Sequence, residues 1–246
     1  MSRLVSKNIK LLVCDMAGTT VNEKGIIYKT LKNTLNNMGF KVKNEQVRNW
    51  YGKDKSEVLR THISQNTAGK DIEKLVKQAE KNLLEELEET YFKDNNVSLM
   101  DYNLLIFFEK LRSNGIKVAL NTGYPSEFQE KIIDHLHMRN HIDSYISSES
   151  VSHGRPHPYM IDKLAEEFKI SDNKYIAKIG DTVPDMLEGK NANCGMVIGT
   201  LTGAENYENL AKNADFVVKN IMELDDLSSP YQFLTFSFLN LNPIDI

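Results

Sequence analysis

Cysteine is scarce in this chain: two residues, Cys14 and Cys194, among 246. Two thiols cannot frame a disulfide-stapled domain or a four-cysteine metal knuckle. Both stand beside apolar segments, so each is expected to be a small buried side chain in a reducing, cytoplasmic compartment. Long apolar runs are missing as well. Nothing approaches the roughly 18–20 residues that cross a bilayer, and Met1 to Lys10 lacks the apolar stretch of a secretory signal, so no membrane partner is expected. An excess of charge is absent too, the formal net charge being −4. That balance excludes a broad attraction to nucleic acid or anionic lipid, yet leaves room for a locally positive site that takes a small anion. There is no internal repeat and no low-complexity linker. What is present, 41% hydrophobic and 26% charged residues, is ordinary globular composition, long enough for one large domain or a core with a smaller companion.

Short apolar runs punctuate the chain. Ile9 to Cys14 leads into Asp15 and a Gly18-Thr19-Thr20 turn, Ile116 to Leu120 into Asn121-Thr122-Gly123, and Tyr175 to Ile179 into Gly180-Asp181-Thr182. Met196 to Ile198 and Phe216 to Val218 are shorter. Runs that are apolar throughout predict strands buried on both faces. Helical patterns over Tyr102 to Ser113, Glu127 to His137 and Tyr159 to Phe168 separate the later runs, and this alternation predicts an α/β fold with a Rossmann-like parallel sheet. Ligands of such sheets bind beyond the carboxyl ends of the strands, where three of these runs carry polar or acidic turns.

From about Val21 to Ser98 the pattern is helical, with no convincing strand. Its longest stripe is Ile72, Leu75, Val76, Ala79, Leu83, Leu87 and Tyr91. Glu73 with Lys77 and Lys81 with Glu85 are opposite charges one turn apart, expected on the wet face. The chain therefore divides into a core of residues 1–21 and 99–246 and an all-helical insert of residues 22–98. The Phe- and Leu-rich tail from Pro230 to Ile246 is expected to pack on the core, with a homodimer contact as the alternative.

The strand-end residues have a chemical logic. A carboxylate at Asp15 followed by a glycine turn places backbone N–H groups where a phosphate could lie, and Gly18 allows close approach. Asp181 and Asp185, at a strand-to-helix turn, suit a hard divalent cation with oxygen ligands, Mg2+ being the expected ion; helix-capping acids would look the same. Thr122 offers a hydroxyl, and Arg155 in Gly154-Arg155-Pro156 a fixed cationic fork. A turn residue and a surface charge are the bland readings of these two. His135, His137 and His141 are expected at a solvated helix end rather than around a metal.

Nucleophile, hydroxyl, cation and acidic pair, in that order along the chain, resemble the four motifs of the haloacid dehalogenase superfamily, and the helical insert resembles that superfamily's cap. The resemblance implies Asp15 as nucleophile toward phosphorus, Thr122, Gly123 and Arg155 as substrate-binding groups, and a magnesium site drawing on Asp15, Ala17, Asp181 and Asp185. Phosphatases of the superfamily usually place an acidic residue two positions after the nucleophile and a lysine in the third motif; here these are Ala17 and Arg155. Both departures, with Asp15 to Val21, Thr122-Gly123-Tyr124 and Gly154 to Met160, are similar to the phosphonoacetaldehyde hydrolases. In that family a cap lysine three residues after a glycine forms an imine with the aldehyde, and Gly52-Lys53-Asp54-Lys55 puts Lys55 there. Cleaving a P–C bond leaves a carbanion, which an imine stabilises as an enamine. Burial and Arg155 are expected to lower the pKa of Lys55, and nearby acids to oppose them. The family's histidine three residues after the lysine is Val58 here. The expected activity is thus Mg2+-dependent hydrolysis of a small phosphonate, phosphonoacetaldehyde-like. A small phosphomonoester substrate is the alternative, and a catalytically silent binding protein a third reading.

Overall fold

The computed structural model describes residues 4, 8–67 and 71–226. Strand β1 (Leu11–Asp15) is buried along its whole length, and is followed by the two-residue strand β2 (Val21–Asn22). Helices α1 (Ile26–Asn37), α2 (Lys55–Asn66) and α3 (Ile72–Glu88) come next, with short helical turns at Asn44–Val47 and Arg48–Trp50. Strand β3 (Ser98–Leu99) then pairs antiparallel with β2. Helix α4 (Leu104–Ser113), strand β4 (Lys117–Thr122), helix α5 (Ser126–His135), strand β5 (Ser144–Ser147) and helix α6 (Tyr159–Glu167) follow. The chain ends its described course in strand β6 (Ile176–Gly180), helix α7 (Val183–Asn191), strand β7 (Met196–Thr200), helix α8 (Tyr207–Ala211), strand β8 (Phe216–Val218) and helix α9 (Glu223–Asp226).

Six strands form one sheet in the order β5-β4-β1-β6-β7-β8, every pair parallel. The chain builds outward from β1 to β4 and β5, then crosses back to lay β6 against the other side of β1. The strand order therefore reverses at β1, and a crevice opens between the carboxyl ends of β1, β4 and β6. All five strands expected from the sequence are present. The strand of this sheet not expected, β5, lies at one of its two edges; Ser-Tyr-Ile-Ser has no apolar run because only part of it is buried.

The expected helical stripe lies inward at Val76, Ala79, Leu83, Leu87 and Tyr91, while Ile72 and Leu75 are partly covered. Asp71 caps α3 by accepting a hydrogen bond from the Lys74 N–H, as Asp54 caps α2 through the Glu57 N–H. A π-turn over Glu89–Lys93 extends α3 and turns Tyr91 inward. One expected ion pair differs: Glu73 binds Arg60 of α2 through both oxygens rather than Lys77. A planar guanidinium matches a carboxylate better than a flexible ammonium one helical turn away. The stretch expected to lack strands contains the β2–β3 pair at its borders, too short to leave a sequence pattern. The expected α5 pattern ends at His135, and His137 stands beyond it at φ 56°. The Pro230 to Ile246 tail lies outside the described residues.

Candidate active site

Sequence-distant carboxylates meet at the crevice. Asp15 ends β1, Asp181 follows β6, and Asp185 lies in the first turn of α7. Ligand oxygens of the three come within 4.8 Å of one another, and all three residues are buried. Oxygen-only donors at this spacing fit a hard cation. The sequence left two readings of Asp185, helix cap or ion ligand, and the geometry accommodates both. Its Oδ2 accepts from the Thr182 N–H and hydroxyl in a capping box, while Oδ1 lies 3.0 Å from Arg155 Nη1 and 2.8 Å from Lys178 Nζ.

Arg155 is no surface charge; it is 4% exposed. Its Nη1 lies 2.6 Å from Asp15 Oδ1, its Nε 3.1 Å from Glu188 Oε2, and its Nη2 donates to the backbone and side-chain oxygens of Asn121 at 2.9 and 2.7 Å. Burial disfavours the arginine charge, but Asp185, Asp15 and Glu188 more than offset it and hold its pKa above the usual value. For Asp185 burial likewise favours the neutral acid, and Arg155 and Lys178 reverse the balance, so its pKa is lowered. Asp15 and Asp181 shift the other way. Burial raises both, aided by the neighbouring carboxylates. Asp181 receives the Ala204 N–H at 2.7 Å and the Thr19 hydroxyl at 3.4 Å, neither of them a cation.

Local backbone requirements explain the glycines. Gly18 turns at φ +83°, and a Cβ there would come within 2.6 Å of Asp181 Oδ2; one on Gly203 would overlap the same carboxylate. Thr202 ties the two loops by donating to Gly18 O at 2.6 Å. A cavity of about 320 Å³ opens here, its walls including Ala17, Gly18, Tyr28, Tyr51, Asp181 and Gly203.

Thr122 lies at the tip of β4, its hydroxyl accepting from the Tyr124 N–H at 3.2 Å. The Gly123 carbonyl accepts from the Lys55 N–H at 3.3 Å, so the helical segment touches the sheet at a residue expected to bind substrate. A Cβ on Gly123 would stand 2.8 Å from Lys53 O. The Ser148 hydroxyl bonds Asp54 at the same junction. Lys55 is 6% exposed, its Nζ donating to Lys53 O at 2.8 Å and lying 5.6 and 5.8 Å from the ring centres of Tyr28 and Tyr124. Burial lowers its pKa; Asp15 opposes, Arg155 adds to the lowering, and Asp54 and Glu23 oppose. His62 is packed against Phe40 and Trp50 instead, and among the described residues His135, His137 and His141 enter no candidate metal cluster.

Lys178 and Glu188 were not anticipated. Both are fully buried, and with Asn121 they close the network around Arg155 and Asp185. A signal existed: a lysine inside an otherwise apolar five-residue strand is tolerated only opposite an acid. Asp15, Asp181, Asp185 and Glu188 thus face two cations, Arg155 and Lys178. Asp181, the carboxylate without one, is expected to destabilise the metal-free protein. Asp181→Asn should raise its melting temperature by ~3 °C while weakening Mg2+ binding in calorimetry. A variant with unchanged melting temperature and metal affinity would show that Asp181 stands outside the cation site.

Several known proteins are similar to this chain. A bifunctional phosphonoacetaldehyde hydrolase/aminoethylphosphonate transaminase of Clostridioides difficile is 28% identical over 266 residues, a match covering 92% of this chain and 41% of that protein. The chain thus spans less than half the length of that relative. A phosphonoacetaldehyde hydrolase of Parabacteroides distasonis is 27% identical over 251 residues, 89% of this chain and 95% of the relative. Among solved structures, a predicted phosphoglycolate phosphatase from Haemophilus somnus superposes with a TM-score of 0.73 at 19% identity over 90% of this chain and 99% of that one. A phosphonoacetaldehyde hydrolase-like protein from Oleispira antarctica gives 0.68 at 20% identity over 89% and 92%; at these identities the likeness is one of fold. No helix among the described residues is long and apolar enough to cross a membrane. The haloacid dehalogenase-like hydrolase family matches residues 12–198, a span that takes in the strand leading to Asp15, the Arg155 loop and the Asp181–Asp185 turn, and the chain belongs to that family.

Proposed function

We propose that the chain is a Mg2+-dependent phosphonatase that cleaves the P–C bond of a small aldehyde phosphonate, phosphonoacetaldehyde or a close analogue, through an imine at Lys55. Residues 22–98 act as a cap over a core of residues 1–21 and 99–246. The observation that carries the reading is the burial of Lys55 within electrostatic reach of Asp15, in a chain whose position 17, the usual place of a leaving-group acid, is alanine. A buried primary amine whose pKa is lowered mainly by burial is a nucleophile toward a carbonyl, and a surface lysine is a poor one.

Asp15 attacks phosphorus along the line opposite the departing carbon. The phosphonate oxygens lie against Arg155, the Thr122 hydroxyl and the Gly123 backbone, and entry of this dianion loosens the Arg155–Asp15 pair so that the carboxylate is free to react. Asp15, the Ala17 backbone, Asp181 and Asp185 would hold Mg2+, which when bound would supply charge neutralisation between the anionic substrate and these carboxylates. The electron pair released from the P–C bond passes into the imine at Lys55, giving an enamine, so no acid at position 17 is required. Contacts of Gly52, Lys53 and Asp54 with the core shield the enamine until its carbon is protonated, after which water hydrolyses the imine to acetaldehyde and the phosphorylated Asp15 to phosphate, restoring both side chains. Two free buried cysteines suit a reducing cytoplasmic setting, and the partner is the small substrate.

A phosphomonoester substrate is the second reading, favoured by Val58, which is 5% exposed and apolar where the related hydrolases use histidine. The test is a phosphate-release assay with Mg2+ on phosphonoacetaldehyde beside a phosphomonoester panel. Release of phosphate with equimolar acetaldehyde, faster than from any ester, is expected. Preference for an ester, without acetaldehyde, would establish the second reading.

A further inference from the structure

Lys55 opens helix α2, so its place over the sheet is set by whatever holds the start of that helix. Among the described residues, two hydrogen bonds join residues 52–55 to the loops at the sheet's end. One is backbone and long: the Lys55 N–H donates to Gly123 O at 3.3 Å. The other joins two side chains: the Ser148 hydroxyl donates to Asp54 Oδ2. Asp54 directly precedes Lys55, and its two oxygens serve different ends. Oδ1 accepts the Glu57 N–H at 2.7 Å and caps α2. Oδ2 is the one that meets Ser148. A single carboxylate thus holds the first turn of the helix and fastens it to the sheet.

The anchor is itself fixed. Ser148 is 5% exposed and follows the last residue of β5. Its neighbours bind the loop after β4: the Ser147 hydroxyl donates to Tyr124 O, and Glu149 Oε2 accepts the Ser126 N–H at 2.7 Å. Two glycines leave the room that Asp54 occupies. A Cβ on Gly154 would stand 3.0 Å from Ser148 Cβ and 3.5 Å from Asp54 Cβ, and one on Gly123 would stand 3.4 Å from Asp54 Cα. Asp54 is therefore seated between the Thr122–Gly123 loop and the loop that carries Arg155. The Lys55 ammonium, by contrast, donates to Lys53 O at 2.8 Å, an acceptor of its own segment. Its place relative to Asp15 is inherited from the seat of Asp54. Capping alone does not require this arrangement: a serine would cap the helix comparably, but its single oxygen would stay with the Glu57 N–H.

We propose that Asp54 and Ser148 are positioning residues for Lys55, the bond between them holding the start of α2 where the amine meets the carbonyl of a substrate whose phosphonate lies against Arg155, Thr122 and Gly123; this rests on the reading of Lys55 as the imine-forming residue. Neither residue takes part in a bond that forms or breaks. Without the strap the substrate still binds through its phosphonate and Lys55 is still an amine, but Nζ samples a wider range of positions. Reaction between two held groups falls steeply with such misplacement.

The experiment measures the rate of borohydride-trapped adduct on Lys55 of the whole chain against phosphonoacetaldehyde concentration, in wild type, Ser148→Ala, Asp54→Ser and the double variant. Ser148→Ala leaves the Asp54 cap of α2 whole, and Asp54→Ser keeps a capping oxygen while removing the one that meets Ser148. Circular dichroism establishes that each variant is folded. Each single variant is expected to form the adduct roughly tenfold more slowly at saturating aldehyde, with the half-saturating concentration within about twofold of wild type. The double variant is expected to be no slower than the singles, because both changes remove one interaction. A wild-type rate in either folded single variant would overturn the strap and leave the role of Lys55 standing. So would losses that multiply in the double variant, or a change confined to the half-saturating concentration, since these mark independent structural effects or lost substrate binding. Failure of both single variants to fold would make the bond a requirement of the fold and likewise overturn a positioning role. If wild type forms no adduct, Lys55 is not the imine residue and the proposal falls with it.

Discussion

Asp15→Asn is expected to lower turnover of every accepted substrate by at least roughly 10³-fold while the fold is kept. The amide has the shape of the carboxylate but no nucleophilic oxygen. It also removes one negative charge from a buried cluster in which four carboxylates face Arg155 and Lys178, so folding of the metal-free protein is not expected to suffer. Burial already raises the pKa of Asp15 in the folded chain, a sign that its ionised form is held against the preference of the site. The measurement is steady-state phosphate release at saturating Mg2+, with a melting curve as control. Near-wild-type turnover in the folded variant would remove Asp15 from the chemistry and make another group the nucleophile.

Lys55→Arg is expected to reduce P–C cleavage by a comparable factor, at least roughly 10³-fold. Arginine preserves a positive charge and a hydrogen bond toward Lys53 O, but its guanidinium stays protonated and forms no imine with an aldehyde. Release of acetaldehyde, followed by coupled reduction, reads the loss directly. The charge-preserving change separates covalent chemistry from electrostatics. If Lys55 served only to attract an anion, Arg would serve as well, and turnover retained within about tenfold would refute the imine. The lowered pKa of Lys55 fixes the direction of pH dependence in wild type. Neutral amine is present at lower pH than for a free lysine, so adduct formation in wild type begins below the range where an exposed lysine reacts.

The sheet was legible in the sequence because a strand buried on both faces leaves a continuous apolar run, and the strand-end position of Asp15, Thr122 and Asp181 followed from the same runs. Strand β5 was illegible because a half-exposed edge needs no such run, and β2 and β3 because two residues carry no period. The network behind Arg155 was read only in part. Its acidic turn could be recognised by spacing, whereas Glu188 lies on α7 a turn beyond Asp185, outside any motif the sequence marks. Lys178 had the clearest unused signal, a charge amid Ile-Ala and Ile-Gly in a buried strand. A buried hydrogen-bonded line from Tyr124 through Tyr91 to Glu23 could not have been read at all. Its members are 33 and 68 residues apart, and Tyr91 reached it through a π-turn that continues an ordinary apolar stripe.

The central claim is covalent attachment of the substrate carbon to Lys55, and a single mass measurement tests it. The protein is incubated with phosphonoacetaldehyde and Mg2+, borohydride is added, and the digested chain is sequenced by tandem mass spectrometry. A reduced two-carbon adduct on Lys55, absent without borohydride and absent in Lys55→Arg, is the predicted result. An unmodified Lys55 in protein that turns the substrate over, or an adduct confined to exposed lysines such as Lys53, would contradict it.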